Sequence, residues 1–139
     1  KEDLISKMTT IELEQTVFAG KHITDATLYI ILSDVVVLPS AGGLSVIQAM
    51  ACGKPFIGSE EIEHGGIRDY VTNGINGFLV KENDVNDLYC ALKELYTNDK
   101  RYAAFCKNAF EKSKELTIQN MVNGIQNAIK YSINEVWEI

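Results

Sequence analysis

One segment of this chain suits ligand binding best, both by its residue types and by their order. It is residues 38–58, LPSAGGLSVIQAMACGKPFIG. An apolar run ends in a glycine-rich turn, and a helix-forming stretch follows directly. In a parallel α/β sheet, ligands lie beyond the carboxyl ends of the strands, where such a turn brings backbone close to them. The helix start adds free N–H groups and the positive end of a dipole, both of which suit a phosphate. The pattern therefore predicts a phosphate site at the amides of Gly43, Leu44 and Ser45, helped by the Ser45 hydroxyl.

The helix after this turn carries a second polar group close to the first. Ser45, Gln48 and Cys52 are spaced i, i+3 and i+7 and so share one face. The residues predicted to pack on the sheet from the other side are Ile47, Met50 and Ala51. A carboxamide at Gln48 is placed to hydrogen-bond ribose hydroxyls while phosphate rests on the first turn. The alternative is a plain strand–helix–strand crossover, and the absence of GxGxxG and GxxxxGK[ST] argues against a dinucleotide fold or a P-loop.

The elements that must position this segment alternate between strands and helices. Residues 35–38 are apolar at every position, which is typical of a strand buried on both faces of a parallel sheet. Gly53 suits a helix C-cap and Asp84 a helix N-cap. The other predicted strands are 16–20, 55–58 and 78–80, and the predicted helices are 2–8, 24–33, 44–52, 65–71, 84–95, 101–116 and 118–137. The predicted fold class is α/β, a parallel Rossmann-like sheet with helices on both faces, in a single domain over residues 1–139.

The composition of the chain argues against several classes of function. The chain has 139 residues, 46% of them hydrophobic, and a formal net charge of −6 at pH 7. An acidic domain is poorly suited to a nucleic-acid backbone, which needs a basic face, so no nucleic-acid partner is expected. The three cysteines include no CxxC pair and fit a reducing compartment. No apolar run approaches the length of a membrane span.

The motifs of residues 18–95 resemble those of retaining glycosyltransferases with the GT-B architecture, in particular the GT4 group. The family pattern PS..EGFGL...EAMACGKPV is similar to PSAGGLSVIQAMACGKPF at residues 39–56. Its continuation, GG..E.V..G..G.LV...D...L, is similar to the stretch from Gly65 to Leu88. The two stretches together are far more specific than a lone glycine motif. The resemblance implies a donor-binding C-terminal domain, truncated at its N-terminus and lacking the first two strands of its sheet.

The resemblance also implies a site for a nucleotide-diphosphate sugar, which is the substrate and not a cofactor. The donor phosphates are expected at Gly42, Gly43, Leu44 and Ser45. The ribose and the sugar are expected at Ser40, Ala41, Gln48, His64 and Gly65. The family has glutamates at the positions of Ser40 and Gln48, so the contact with the donor sugar differs here. No catalytic residue and no cofactor are assigned. No metal is expected either, because retaining GT-B enzymes are understood to work without a bound metal.

The implied reaction transfers a hexose with retention to an acceptor hydroxyl of a glycan, polysaccharide or glycolipid. The acceptor would bind through an N-terminal domain absent from this sequence, so the fragment alone is expected to be inactive. The expected location is the cytoplasm, including the inner face of a membrane. A basic cluster on the helix predicted at 101–116 would allow peripheral membrane contact, although a solvated helix face is the commoner explanation. That cluster comprises Lys100, Arg101, Lys107, Lys112 and Lys114.

Two other functions stay open at this point. A nucleotide-sugar epimerase of the same architecture would need acid/base carboxylates or histidines in the crevice, which this stretch does not plainly offer. A non-catalytic nucleotide-binding domain is favoured by Ser40 and Gln48, which replace the family's glutamates. A receiver-like domain is disfavoured, because the acidic cluster that would hold magnesium at the strand ends is absent.

Overall fold

The computed structural model describes residues 2–20, 26–39, 43–60 and 66–136. The helices in these ranges are α1 (Glu2–Ile5), α2 (Thr10–Glu14), α3 (Thr27–Leu32), α4 (Leu44–Ala51), α5 (Ile67–Tyr70), α6 (Val85–Thr97), α7 (Asp99–Ser113) and α8 (Ile118–Val136). The strands are β1 (Val36–Leu38), β2 (Phe56–Ser59) and β3 (Gly77–Val80). Strands and helices alternate from β1 to α6, as the sequence predicts.

The three strands form one parallel sheet in the order β1-β2-β3. Its register places Val37, Ile57 and Phe78 in one row across the sheet. Because the strands are parallel, their carboxyl ends lie at the same edge, and the chain leaves all three strands there. That edge is where a ligand binds in an open α/β sheet.

Alternating side chains of the sheet contact helices on both faces. Phe56 of β2 is fully buried in a cluster with Val46 and Met50 of α4 and Ile67 of α5. The next residue, Ile57, is fully buried on the opposite face, in a cluster to which α6 and α7 contribute Ala91, Leu95 and Phe105. The period of two along β2 therefore builds both clusters, and the predicted fold class is confirmed.

A polar contact joins α7 to the start of β1. The hydroxyl of Tyr102 donates a hydrogen bond to the backbone oxygen of Asp34 at 3.0 Å. The pKa of Tyr102 is raised to about 12, and burial of the phenol is the largest cause. A hydrogen bond with Cys106 and the charges of Cys106 and Asp34 contribute less. The phenol therefore stays protonated, and able to donate this bond, throughout the neutral pH range.

Three sequence expectations about these elements are wrong. Residues 16–20 form no strand, because no other described strand lies beside them to complete a hydrogen-bonded ladder. β1 is only half-buried, and the central, fully buried strand of the described sheet is β2. The first helix ends at Ile5, and a second short helix, α2, begins at Thr10 behind the capping box of Thr9 and Glu12.

Gly77 provides a test of the tight contact between β2 and β3. A Cβ at Gly77 would overlap the backbone oxygen of Phe56. Backbone on a central strand has little freedom to move away, so we expect Gly77→Ala to lower the free energy of unfolding by about 1–3 kcal/mol. Gly124→Ala is the control, since a Cβ at this position in α8 meets no described atom within 4 Å. Urea unfolding of both variants measures the difference, and equal stability would contradict the described register.

Candidate functional site

The candidate site begins at the first turn of α4, at the end of the loop that follows β1. Gly43 is the N-cap residue, and it has no side chain that could cap the helix. Its carbonyl accepts a hydrogen bond from the amide of Val46 at 3.2 Å. Among the described residues, no group accepts a hydrogen bond from the amides of Gly43, Leu44 or Ser45. Within the described part of the chain, the helix start therefore has donors without an acceptor at the positive end of its dipole.

The described surroundings of this first turn are open. The side chain of Leu44 is 83% exposed. A Cβ built on Gly43 meets no atom of the described residues within 4 Å. The backbone of Gly43 is extended, with φ 167°, so the fold does not require glycine there. As far as the described residues show, this helix start has the exposed backbone donors that an anionic ligand needs.

The far end of α4 is fixed by a Schellman motif. The amide of Gly53 donates to the oxygen of Met50, and the amide of Lys54 donates to the oxygen of Ala49, each at 2.9 Å. Gly53 has φ 66°, the left-handed conformation that this motif requires. The predicted C-cap glycine is confirmed, and the helix passes directly into β2.

The core face of α4 differs from the predicted one. Val46, Ala49 and Met50 have no exposed surface, whereas Ala51 is exposed and Ile47 is only partly buried. Residues 46, 49 and 50 follow the i, i+3, i+4 spacing of a buried helix face. The prediction that Ala51 packs on the sheet is therefore wrong. The buried face of the helix includes Val46 and not Ala51.

Gln48 lies one turn after the open amides and contacts α3. Its carboxamide nitrogen Nε2 donates to the hydroxyl oxygen of Thr27 at 2.8 Å. The side chain is half-buried, like those of Ser45 and Cys52 on the same side of the helix. Sequence reasoning missed Thr27, because the two residues are 21 positions apart and no local motif links them.

A second connection, between β2 and α5, leaves the sheet at the same edge, where β2 ends. Gly66 is the N-cap residue of α5, and Ile67 anchors this helix in the core. The guanidinium of Arg68 donates to the backbone oxygen of Glu60, so it joins the helix to the end of β2. The two described sides of the loop are therefore held together.

The other end of α5 is held by a buried asparagine. Asn76 is 3% exposed, accepts a hydrogen bond from the amide of Thr72 at 2.8 Å and donates one to the oxygen of Tyr70 at 3.0 Å. The residue types at Asn76-Gly77 predict a turn there. They do not predict that the asparagine side chain fixes the exit of α5.

Several predicted site residues lie outside the described part of the chain. They are Ser40, Ala41 and Gly42 in the first loop and His64 and Gly65 in the second. The structure brings Gly43, Leu44, Ser45 and Gln48 together within two turns of α4. These four residues offer backbone donors, a hydroxyl and a carboxamide, which are groups for binding rather than for proton transfer.

Residues 2–20, 26–39, 43–60 and 66–136 contain neither a metal centre nor a membrane-spanning helix. No group of three or more histidine, cysteine or acidic side chains in these ranges is arranged to hold a metal ion. No helix in the same ranges combines the length and apolar character needed to cross a bilayer. In the basic cluster, Arg101 pairs with Glu94, Lys112 with Glu115, and Lys114 with Glu111. These three cations therefore face acidic partners on the protein itself.

Comparison with known proteins places the fold in context. The family model described as glycosyl transferases group 1 matches residues 1–112. The structure of Anabaena Alr3699/HepE in complex with UDP superposes with a TM-score of 0.77 at 24% identity, over 94% of this chain and 36% of that one. The structure of a mutant of S. aureus TarM, in complex with Fondaparinux, alpha-GlcNAc-glycerol and UDP, superposes with a TM-score of 0.73 at 27% identity. That match covers 91% of this chain and 26% of TarM.

Sequence relatives agree with the structural neighbours. An uncharacterized glycosyltransferase, MJ1178 of Methanocaldococcus jannaschii, is 32% identical over 84 residues, which are 60% of this chain and 23% of that protein. A D-inositol 3-phosphate glycosyltransferase of Rhodococcus erythropolis is 32% identical over 96 residues, 67% of this chain and 21% of that protein. The fold is the Rossmann-like domain of GT-B enzymes, and the chain belongs to the group 1 glycosyl transferases. It spans less than a quarter of the length of these two curated relatives.

The openness of the site can be tested without a ligand. Because a Cβ at Gly43 meets open space and the residue is extended, we expect Gly43→Ala to change the free energy of unfolding by less than about 0.5 kcal/mol. Gly53→Val is the contrasting variant, since a β-branched residue cannot easily adopt its left-handed φ. Thermal unfolding compares the two, and a large loss of stability in Gly43→Ala would mean that protein atoms fill the space.

Proposed function

We propose that this chain is the donor-binding part of a retaining glycosyltransferase, which moves a sugar from a nucleotide-diphosphate sugar to an acceptor hydroxyl. The observation that carries the proposal is the open first turn of α4, where three amides have no acceptor among the described residues. Membership of the group 1 glycosyl transferases supports it. TarM, which shares 27% identity with this chain, has UDP in its solved structure.

The donor would bind along α4. Its diphosphate would rest on the amides of Gly43, Leu44 and Ser45, together with Gly42 of the preceding turn. These amides are fixed before the ligand arrives, so they lose little freedom on binding. The same donors would stabilise the charge that grows on the diphosphate as the glycosidic bond breaks, and such electrostatic stabilisation usually contributes most to the rate.

The rest of the donor would extend from the diphosphate along two loops. The ribose would contact Gln48, one turn along the helix. The sugar would lie near Ser40, Ala41, His64 and Gly65. Since Ser40 and Gln48 carry no charge, the site would hold the sugar by hydrogen bonds and not by a carboxylate. We assign no nucleophile or general base to the residues of this chain.

The finer features of the proposal follow from the resemblance of the sequence motifs to those of GT4 glycosyltransferases. The reaction would be a hexosyl transfer of the GT4 type that uses no metal or other cofactor. The acceptor would be a glycan, polysaccharide or glycolipid bound by another part of the protein, so this chain alone would be inactive. Donor binding would take place in the cytoplasm, including at the inner face of a membrane.

A non-catalytic nucleotide-binding domain is the second candidate. It is favoured by the uncharged residues at positions 40 and 48, where the family pattern has glutamates. Such a domain would bind the nucleotide as described and leave the sugar in place. Incubation of the full-length protein with radiolabelled UDP- and GDP-sugars separates the candidates, since only the transferase moves label to a glycan or lipid acceptor.

The phosphate contact is tested by removing one amide donor. Leu44 is the first residue of α4, a position where proline is compatible with a helix but has no N–H. A hydrogen bond to a charged group contributes about 1.5–3 kcal/mol, so we expect Leu44→Pro to weaken UDP or GDP binding roughly 10- to 100-fold.

Leu44→Ala is the matched control, because it keeps the amide and removes only an exposed side chain. We expect its affinity for the nucleotide, measured by isothermal titration calorimetry, to stay close to that of the unchanged protein. Equal affinities for the alanine and proline variants would rule out the amide as a phosphate ligand.

A further inference from the structure

The hydrogen bond between Gln48 and Thr27 joins two helices that meet beside the candidate site. Nε2 of Gln48 donates to Oγ1 of Thr27 at 2.8 Å, across 21 positions of sequence. Thr27 is the first residue of α3, and Gln48 lies in the second turn of α4. Both side chains are half-buried, so water competes for this bond less than it would at an exposed surface.

This bond matters because a carboxamide has two unlike ends. The oxygen accepts hydrogen bonds and the nitrogen donates them, and rotation about the terminal torsion of glutamine exchanges the two with little preference. In this structure the hydroxyl of Thr27 accepts from the nitrogen, so the oxygen is the end of the carboxamide that is left for a ligand. With Nε2 held by Thr27, Oε1 of Gln48 points away from Thr27, and no described group donates to it.

We propose that Thr27 is a positioning residue for nucleotide binding. It holds the carboxamide of Gln48 so that Oε1 accepts a hydrogen bond from a ribose hydroxyl of the donor. The inference rests on the proposed function, because it assumes that the ribose lies beside Gln48. It adds a residue on a different helix, and it assigns one atom of Gln48 to the ligand and another to the protein.

The contact predicts a specific loss. Thr27→Val keeps the shape of the side chain and removes the hydroxyl, so the carboxamide loses its fixed orientation. Because one neutral hydrogen bond contributes modestly to affinity, we expect UDP and GDP to bind roughly three- to tenfold more weakly. Thr27→Ser retains the hydroxyl and should restore most of the affinity.

Inorganic pyrophosphate separates positioning from a general structural effect. It would occupy the amides of α4 but has no ribose, so its affinity should be unchanged by Thr27→Val. A loosened or misfolded site would lose pyrophosphate and nucleotide together. Equal losses for the two ligands would therefore overturn the inference.

A double-mutant cycle with Gln48→Ala completes the test. If Thr27 acts through Gln48, Thr27→Val should cost no further nucleotide affinity once the carboxamide is gone. Additive losses would overturn the inference, as would unchanged nucleotide binding by Thr27→Val in the original background.

The variant Gly43→Val distinguishes a failure of the proposed phosphate site from a failure of the role proposed for Thr27. A branched side chain at the N-cap would crowd the first turn of α4, so it should weaken the binding of both pyrophosphate and nucleotide. If Gly43→Val binds both ligands normally, the proposed phosphate site itself is wrong. If it binds neither ligand while Thr27→Val binds nucleotide normally, only the positioning role of Thr27 is wrong.

Discussion

The amides of the first turn of an α-helix have no partner within the helix, and a protein must satisfy them in some other way. Most helices do so with a serine, threonine, asparagine or aspartate cap. α6 follows that rule, since the side chain of Asp84 accepts from the amides of Asn86 and Asp87. α4 does not, because its cap residue is Gly43 and no described group replaces the missing side chain. The difference between these two helix starts is the constraint on which the proposed site depends.

The scaffold holds the open helix start in place. α4 is anchored through three fully buried side chains on one face and through the Schellman motif at its far end. That motif leads into β2, the strand that contributes to both core clusters. The positions of the amides are thus set by the core and not by a ligand. An anion that binds them gains from donors that are already ordered, which is the energetic advantage of preorganisation.

Much of this fold was predictable, because its signals are local. An apolar run indicated β1, Gly53 marked the end of α4, and Asp84 marked the start of α6. The capping box of Thr9 and Glu12 was also present in the sequence, and α2 could have been predicted from it. The lack of a capping side chain at Gly43 follows from the same local signals, since the glycine can be seen in the sequence.

The features that were missed depend on partners distant in sequence. Residues 16–20 have the composition of a strand, but a strand also needs a neighbour that the local sequence does not reveal. The contact between Thr27 and Gln48 and the two hydrogen bonds of Asn76 arise only after helices and turns have packed. Val46 is buried in place of Ala51 because the helix is rotated about its axis by a fraction of a turn from the predicted orientation. The spacing of apolar residues in an eight-residue helix defines that rotation poorly.

The most direct measurement is a titration of the isotopically labelled protein with UDP and GDP, followed through its backbone amide NMR signals. We predict that the amide signals of Gly43, Leu44 and Ser45 move most, together with the side-chain amide signals of Gln48, while those of the capped start of α6 stay in place. If nucleotide binds and the largest changes lie elsewhere, or if neither nucleotide moves these signals at millimolar concentration, the first turn of α4 is not the phosphate site.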